Sequence, residues 1–335
     1  MPSGESKPVS KRRLPVSKRR LPVFTRRIFA TAVVVGLIAA AFYVIGGNRN
    51  PAVFAQNASA KLRVFFIGNS LTDTIGYVQF EKLAIAGKQS IIWGRHTGPG
   101  ATLDGLYKPN DKGELYGIAQ EPFGKSPEAL AKHTWDVVTL QPFDRPLDTI
   151  EANQLGDIAN VNAFLLMLNE GPNKDTQVYI HAHWPRRFAW DKTVETAPPF
   201  DYQAKWEKTY GGGWSDFETR DFYEKLLAAV NKENPLNKPV LILPAGEVIY
   251  EIDKAAKAGQ IPGVHSANDM YSDHIHFSEK GRYVTAITFY ATIFKKSPEG
   301  LSASGYGLND PAFEKAVQEL VWRVVSTHPN AGIAK

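Results

Sequence analysis

The sequence predicts an α/β domain: a three-layer α/β/α sandwich around a parallel five-stranded sheet. Three observations lead there. Short apolar runs alternate with longer helical patterns through most of the chain. Most of those runs are continuous rather than alternating, as expected of parallel strands covered on both faces. The alternation itself implies right-handed crossovers that lay helices on both sides of the sheet.

In chain order, the first strand is LRVFFI at 62–67, followed by a helix over 74–87 and a second strand, SIIWG, at 90–94. A helix over 126–133 leads to DVVTLQ at 136–141, and a helix over 150–170 to QVYIHA at 177–182. The last strand, PVLIL at 239–243, follows a helix over 217–232. Helices over 246–258, 279–295 and 312–326 complete the domain; Ser278 suits a helix cap and Pro311 a first helical turn. Residues 184–215 fit no regular pattern and carry Trp184, Trp190, Trp206 and Trp214. A long aromatic loop in a compact domain is either functional or packed as a small core of its own.

The formal charge of +5 is unevenly placed. Residues 1–60 hold ten Lys/Arg against one acidic residue, which leaves the remainder with 29 basic and 33 acidic side chains. The main body is therefore mildly acidic, and nucleic acid is excluded as its partner. PVSKRRL occurs at 8–14 and 15–21, with PVFTRRI at 22–28 as a third, degenerate copy. Residues 1–27 read as a basic, disordered cytoplasmic leader.

Residues 28–45, IFATAVVVGLIAAAFYVI, carry no charge and as a helix reach about 27 Å, near the thickness of a bilayer core. Basic residues before them place that side in the cytoplasm and imply export of the rest. TRRIFA at 25–30 resembles a twin-arginine export signal, so the export machinery is an expected partner. Small-residue cleavage sites end at Ala55 and Ala60, and an uncleaved membrane anchor is the alternative. The expected location is periplasmic, secreted, or anchored to the inner membrane. Residues 46–60 are a linker, and 61–335 the exported domain. With no cysteine, that domain relies on its core, and thiol nucleophiles and thiolate metal sites are excluded.

The first strand ends in Gly68-Asn69-Ser70, small and polar residues at the sheet edge where α/β proteins bind ligands. Two readings compete: an ordinary helix cap, or a turn displaying a serine nucleophile. A nucleophile needs a base and the base an orienting acid. Asp273 and His276, three residues apart in SDHIHFSEKG at 272–281, supply both. On a turn, Asp273 reaches one ring nitrogen while the other faces Ser70.

GNSLT at 68–72 resembles the first block of the GDSL/SGNH hydrolase superfamily. TGPGATL at 97–103 resembles its second block, and Asp273-His274-Ile275-His276 its last, Asp-x-x-His. The resemblance spans most of 61–296. It implies a flavodoxin-like fold, a Ser70–His276–Asp273 triad, and ester hydrolysis through an acyl-enzyme without a cofactor or metal. It also implies an oxyanion hole from the Ser70 and Gly100 N–H groups and a side-chain amide. The family's Gly-x-Asn-Asp stretch is missing here; LQPFDRP at 140–146 stands in its place, and Gln141 is the amide available.

The substrate class follows from the loop and the address. Trp184, Trp190, Trp206, Trp214 and His183 are candidate sugar contacts, since pyranose faces match aromatic rings. An acylated carbohydrate, O-acetylated above all, is the expected partner; other esters and acyl transfer use the same chemistry. Two further classes stay open. His181/His183 and His274/His276, with Asp144 and Asp273, are a possible metallohydrolase set. A sugar-binding protein on a degenerate hydrolase fold is the other.

Overall fold

Phe65 and Phe66 point to opposite faces of a strand, and both are fully buried, as are Val64 and Ile67. A strand apolar on both faces belongs at the centre of a covered sheet, and β1 (Leu62–Gly68) lies there. The computed structural model describes residues 61–333 except 151–153, 190–191, 194, 197–198 and 214–215. The leader, the apolar segment 28–45 and the linker expected from the sequence lie outside the described residues.

Beside β1 run β2 (Ile91–Thr97), β3 (Ile118–Ala119), β4 (Val137–Leu140), β5 (Gln177–His181) and β6 (Leu241–Leu243), in the spatial order β3-β2-β1-β4-β5-β6. β1 pairs in parallel with β2 (Ile67 opposite His96) and with β4 (Ile67 opposite Leu140). The sheet thus has six strands rather than the five expected. The sixth, β3, is antiparallel, pairing only His96 with Ala119 and Thr97 with Ile118. Two residues are too short to give a periodic signal.

Helices α1 (Ser70–Asp73), α2 (Tyr77–Ala86), α3 (Ser126–Lys132), α4 (Asp157–Glu170), α5 (Tyr202–Trp206), α6 (Arg220–Lys232), α7 (Ala245–Lys257), α8 (Glu279–Phe294) and α9 (Pro311–Thr327) complete the fold. They pack in two groups: α3, α4 and α6 in one, and α2, α5, α7, α8 and α9 in the other. Two helix groups and a mostly parallel sheet are the arrangement expected. α1 and α5 are too short for periodicity to reveal. Ser278 is the N-cap residue of α8, as expected, but its hydroxyl makes no capping bond and donates to the Asp269 and Met270 carbonyls instead (both 3.1 Å).

The topology positions the site. Chain leaving β1 turns to β2 on one side, while β4 adds on the other, which opens a crevice beyond the β1 carboxyl end. Among the described residues no helix is long and apolar enough to cross a membrane.

Candidate active site

The turn after β1 is built from paired polar groups. Asn69 is fully buried and caps α1, its Oδ1 accepting the Leu71 N–H at 3.0 Å. Its Nδ2 donates to the Ala101 carbonyl (3.1 Å), tying the turn to the loop after β2. Gln141, at the end of β4, accepts the Asn69 N–H (3.0 Å) and the Thr72 hydroxyl (2.8 Å) with Oε1. A Cβ on Gly68 would sit 2.3 Å from Thr72 Oγ1 and 2.7 Å from Gln141 Oε1, so glycine is required for this close approach. Asp73 closes the turn, accepting from Arg95 (2.8 Å), Tyr77 (2.8 Å) and Thr97 (3.0 Å).

Ser70 thereby occupies the first position of α1. Its N–H and that of Gly100, whose φ of +61° suits glycine, have no hydrogen-bond acceptor among the described residues. The second half of the site comes from the loop before α8. Tyr271 and Phe277 form an antiparallel bridge, and the Ser272 N–H donates to the His276 carbonyl at 2.8 Å. Asp273 Oδ1 accepts the Ile275 N–H (2.8 Å) and the His276 N–H (2.7 Å), while Oδ2 meets His276 Nδ1 at 2.8 Å. His276 Nε2 lies 2.9 Å from Ser70 Oγ.

Partial burial pushes the Asp273 carboxyl up. The donated hydrogen bonds from Ile275, His276 and the imidazole outweigh it and hold the carboxyl below its ordinary range. An ionised Asp273 fixes the tautomer with hydrogen on Nδ1 and leaves Nε2 free to take the Ser70 proton. Across 206 residues of sequence, the Ser70 hydroxyl, the His276 ring and the Asp273 carboxyl thus stand in one hydrogen-bonded row.

These groups line a cavity of about 470 Å³ together with Leu71, Pro99, Gly100, Phe143, Asp144, Arg186, His274 and Ile275. Asp144 and His274, candidates from sequence for a metal set, stand here with Phe143 and Arg186 on the cavity wall instead. Their signal is spatial: Arg186 Nη2 bonds both Asp144 oxygens (3.1 and 3.3 Å) from 42 residues away. Partial burial holds the His274 ring below its ordinary value.

The remaining candidates are placed elsewhere. Gln141 is fully buried, does not line the cavity, and has no partner for Nε2. Trp184 and Trp206 correct the expectation of sugar stacking. Trp184 is wholly buried, stacked on Phe277 with centroids 3.7 Å apart and donating to the Ile275 carbonyl (2.6 Å). Trp206 is 2% exposed and donates to Glu247 (2.7 Å). Apolar burial outweighs exposure for rings this large. Of the two readings open to His183, a substrate contact or a buried hydrogen-bonded ring, the structure shows the buried ring, its nitrogens facing the Trp184 (2.9 Å) and Pro142 (3.1 Å) carbonyls. Burial holds both His181 and His183 below the ordinary imidazole value. Trp190 and Trp214 lie outside the described residues.

The metal alternative needs converging ligands. Among the described residues no three His, Asp or Glu side chains meet with metal-holding geometry. His181 packs edge-on against Phe289 (centroids 4.9 Å apart), and His276 is engaged by Asp273 and Ser70.

No protein-family model matches the chain, and no curated protein is similar to it. Among solved structures, a DUF4886 family protein from Bacteroides uniformis ATCC 8492 is similar, with a TM-score of 0.51 and 19% identity. That likeness covers 80% of this chain and 95% of the other, and it concerns the fold. The periplasmic domain of a lipopolysaccharide acetyltransferase from Salmonella ser. Paratyphi A gives a TM-score of 0.38 at 11% identity, over 70% of this chain and 83% of the other.

Proposed function

We propose that this chain is a serine esterase of the SGNH type, cleaving acyl esters, O-acetyl groups on a polysaccharide in particular, outside the cytoplasm. The observation that carries the reading is the Ser70–His276–Asp273 row on the wall of a cavity at the carboxyl end of the sheet. The resemblance of GNSLT and Asp-x-x-His to the family's first and last blocks supports it. Export rests on the basic leader, the TRRIFA motif and the apolar segment 28–45.

In this mechanism Ser70 Oγ attacks the ester carbonyl while its proton passes to His276 Nε2. Asp273 keeps the imidazole oriented and stabilises the imidazolium. The carbonyl oxygen, now negative, is met by the Ser70 and Gly100 N–H groups, donors of a kind that contribute about 10²–10³ in rate each. His276 returns the proton to the departing alcohol, and a water then releases the acid by the same steps in reverse. Gln141 serves as the acceptor that fixes the Asn69–Thr72 turn. A donor role for its amide requires Nε2 to reach the cavity.

The test is hydrolysis of p-nitrophenyl acetate by the purified protein. Ser70→Ala is expected to lower kcat/KM by roughly 10⁴-fold or more with the fold intact, and EDTA to change nothing. Equal rates for wild type and variant would sink the reading.

A further inference from the structure

The cavity is far larger than an acetyl group requires, so its remaining walls must meet the alcohol half of the ester. Three of those walls form one unit. The Arg186 guanidinium lies 5.6 Å over the Phe143 ring, and its Nη2 bonds both oxygens of Asp144. Glu218 completes the hold, with Oε1 3.8 Å from Nη2 and Oε2 accepting the Arg186 backbone N–H at 3.0 Å. Nη1 of Arg186 bears no hydrogen bond to any described residue.

Both carboxylates sit on left-handed backbone that side chains disfavour: φ is +50° at Asp144 and +64° at Glu218. Such conformations are disfavoured and persist where the surroundings impose them. Here both place a carboxylate against the same guanidinium. The result is a preformed fork with a free donor on Nη1 and spare acceptor capacity on Asp144, beside the apolar Leu71, Pro99, Phe143 and Ile275. A donor and an acceptor next to apolar surface match a hydroxyl-bearing ring.

Charge narrows the ligand further. Asp144 is the carboxylate on the cavity wall, while Glu218 holds Arg186 and Asp273 holds His276 from behind. The guanidinium already has two carboxylate partners, Asp144 and Glu218, which compensate its charge. An anionic sugar would have to displace one of them.

We propose that Asp144, Arg186 and Glu218 form the subsite for an uncharged, hydroxyl-bearing alcohol, so that the enzyme selects neutral acetylated sugars over acetylated uronates. This rests on the esterase reading. One hydroxyl accepts from Arg186 Nη1 and one donates to Asp144.

The experiment compares kcat/KM for an O-acetylated neutral xylo-oligosaccharide and an O-acetylated oligogalacturonide, in wild type and Asp144→Asn. Wild type is expected to prefer the neutral substrate. Asp144→Asn is expected to move the ratio toward the anion by about tenfold, the scale of one charge-assisted hydrogen bond. Arg186→Lys keeps the charge and loses the fork, and is expected to raise KM for the neutral substrate more than it lowers kcat. It also replaces Asp144→Asn as the test if that variant does not fold. An unchanged ratio, or a wild-type preference for the uronate, overturns the subsite. Failure of wild type on p-nitrophenyl acetate and both sugars instead overturns the esterase reading. In that event calorimetric titration of both oligosaccharides into wild type and Asp144→Asn still decides the subsite: tighter neutral binding that Asp144→Asn reverses upholds it, and equal binding overturns it.

Discussion

The turn at 68–73 and the aromatic segment beginning at Trp184 both serve the same cavity by different physics. In the turn, short polar side chains hold the backbone: Asn69 caps Leu71, and Gln141 accepts from Asn69 and Thr72. In the segment, rings hold the backbone by burial, and its contribution to the site is indirect. Trp184 stacks beneath Phe277 and bonds the Ile275 carbonyl. The Tyr271 hydroxyl donates to the Pro185 carbonyl (2.7 Å), and the Arg187 N–H to the His274 carbonyl (2.8 Å). The segment thus props the loop that carries Asp273 and His276. Trp184, expected to meet a sugar, instead braces the loop that carries His276 from behind.

The largest effect expected on this contrast is at Trp206. Its ring fills space so close to α7 that a Cβ on Gly246 would lie 2.2 Å from it. Trp206→Ala is expected to cost about 3–5 kcal/mol of stability, read from denaturant midpoints, while turnover per folded molecule holds. A stable variant with a raised KM would return Trp206 to the substrate.

Gln141 tests the other region. Gln141→Glu keeps an acceptor for Asn69 and Thr72 and loses the amide donor; Gln141→Met loses both. If the side chain positions the nucleophile, Glu retains most of kcat and Met loses about 10²-fold, the scale of a small misplacement of reacting groups. If Glu falls as far as Met, the amide N–H is the needed group and Gln141 belongs with the oxyanion donors.

The smallest effect concerns a carboxyl buried behind Phe143 with Glu218 and Tyr223, on the aromatic side of the comparison. Asp157 is fully buried, and burial pushes its carboxyl well above its ordinary value despite Asn160 and Arg145. The folded state therefore binds the extra proton, and stability is lost as pH rises above the unfolded value near 4. Asp157→Asn is expected to melt higher than wild type at pH 7, with the gap closing toward pH 4. A gap that widens on acidification would mean that Asp157 is folded as a paired carboxylate.

Much of the fold was legible because strands and long helices carry their own period. Five strands and seven helices fall within a few residues of where apolar spacing puts them, apart from the late start of α4 at Asp157. β3, α1 and α5 escaped because two to five residues hold no period. The local half of the site was legible for a similar reason. Asn69 capping Ser70's turn, and Asp273 folding back on His276, are contacts across two and three residues.

What composition and spacing alone determined, then, is the layer order and the naming of Ser70, Asp273 and His276 as a candidate set. Only the tertiary structure decided that Ser70 Oγ and His276 Nε2 stand 2.9 Å apart, that Trp184 and Trp206 turn inward, and that Arg186 meets Asp144 and Glu218. Each of those depends on segments tens to hundreds of residues apart. Their meeting is set by packing of the whole core, which no local pattern encodes.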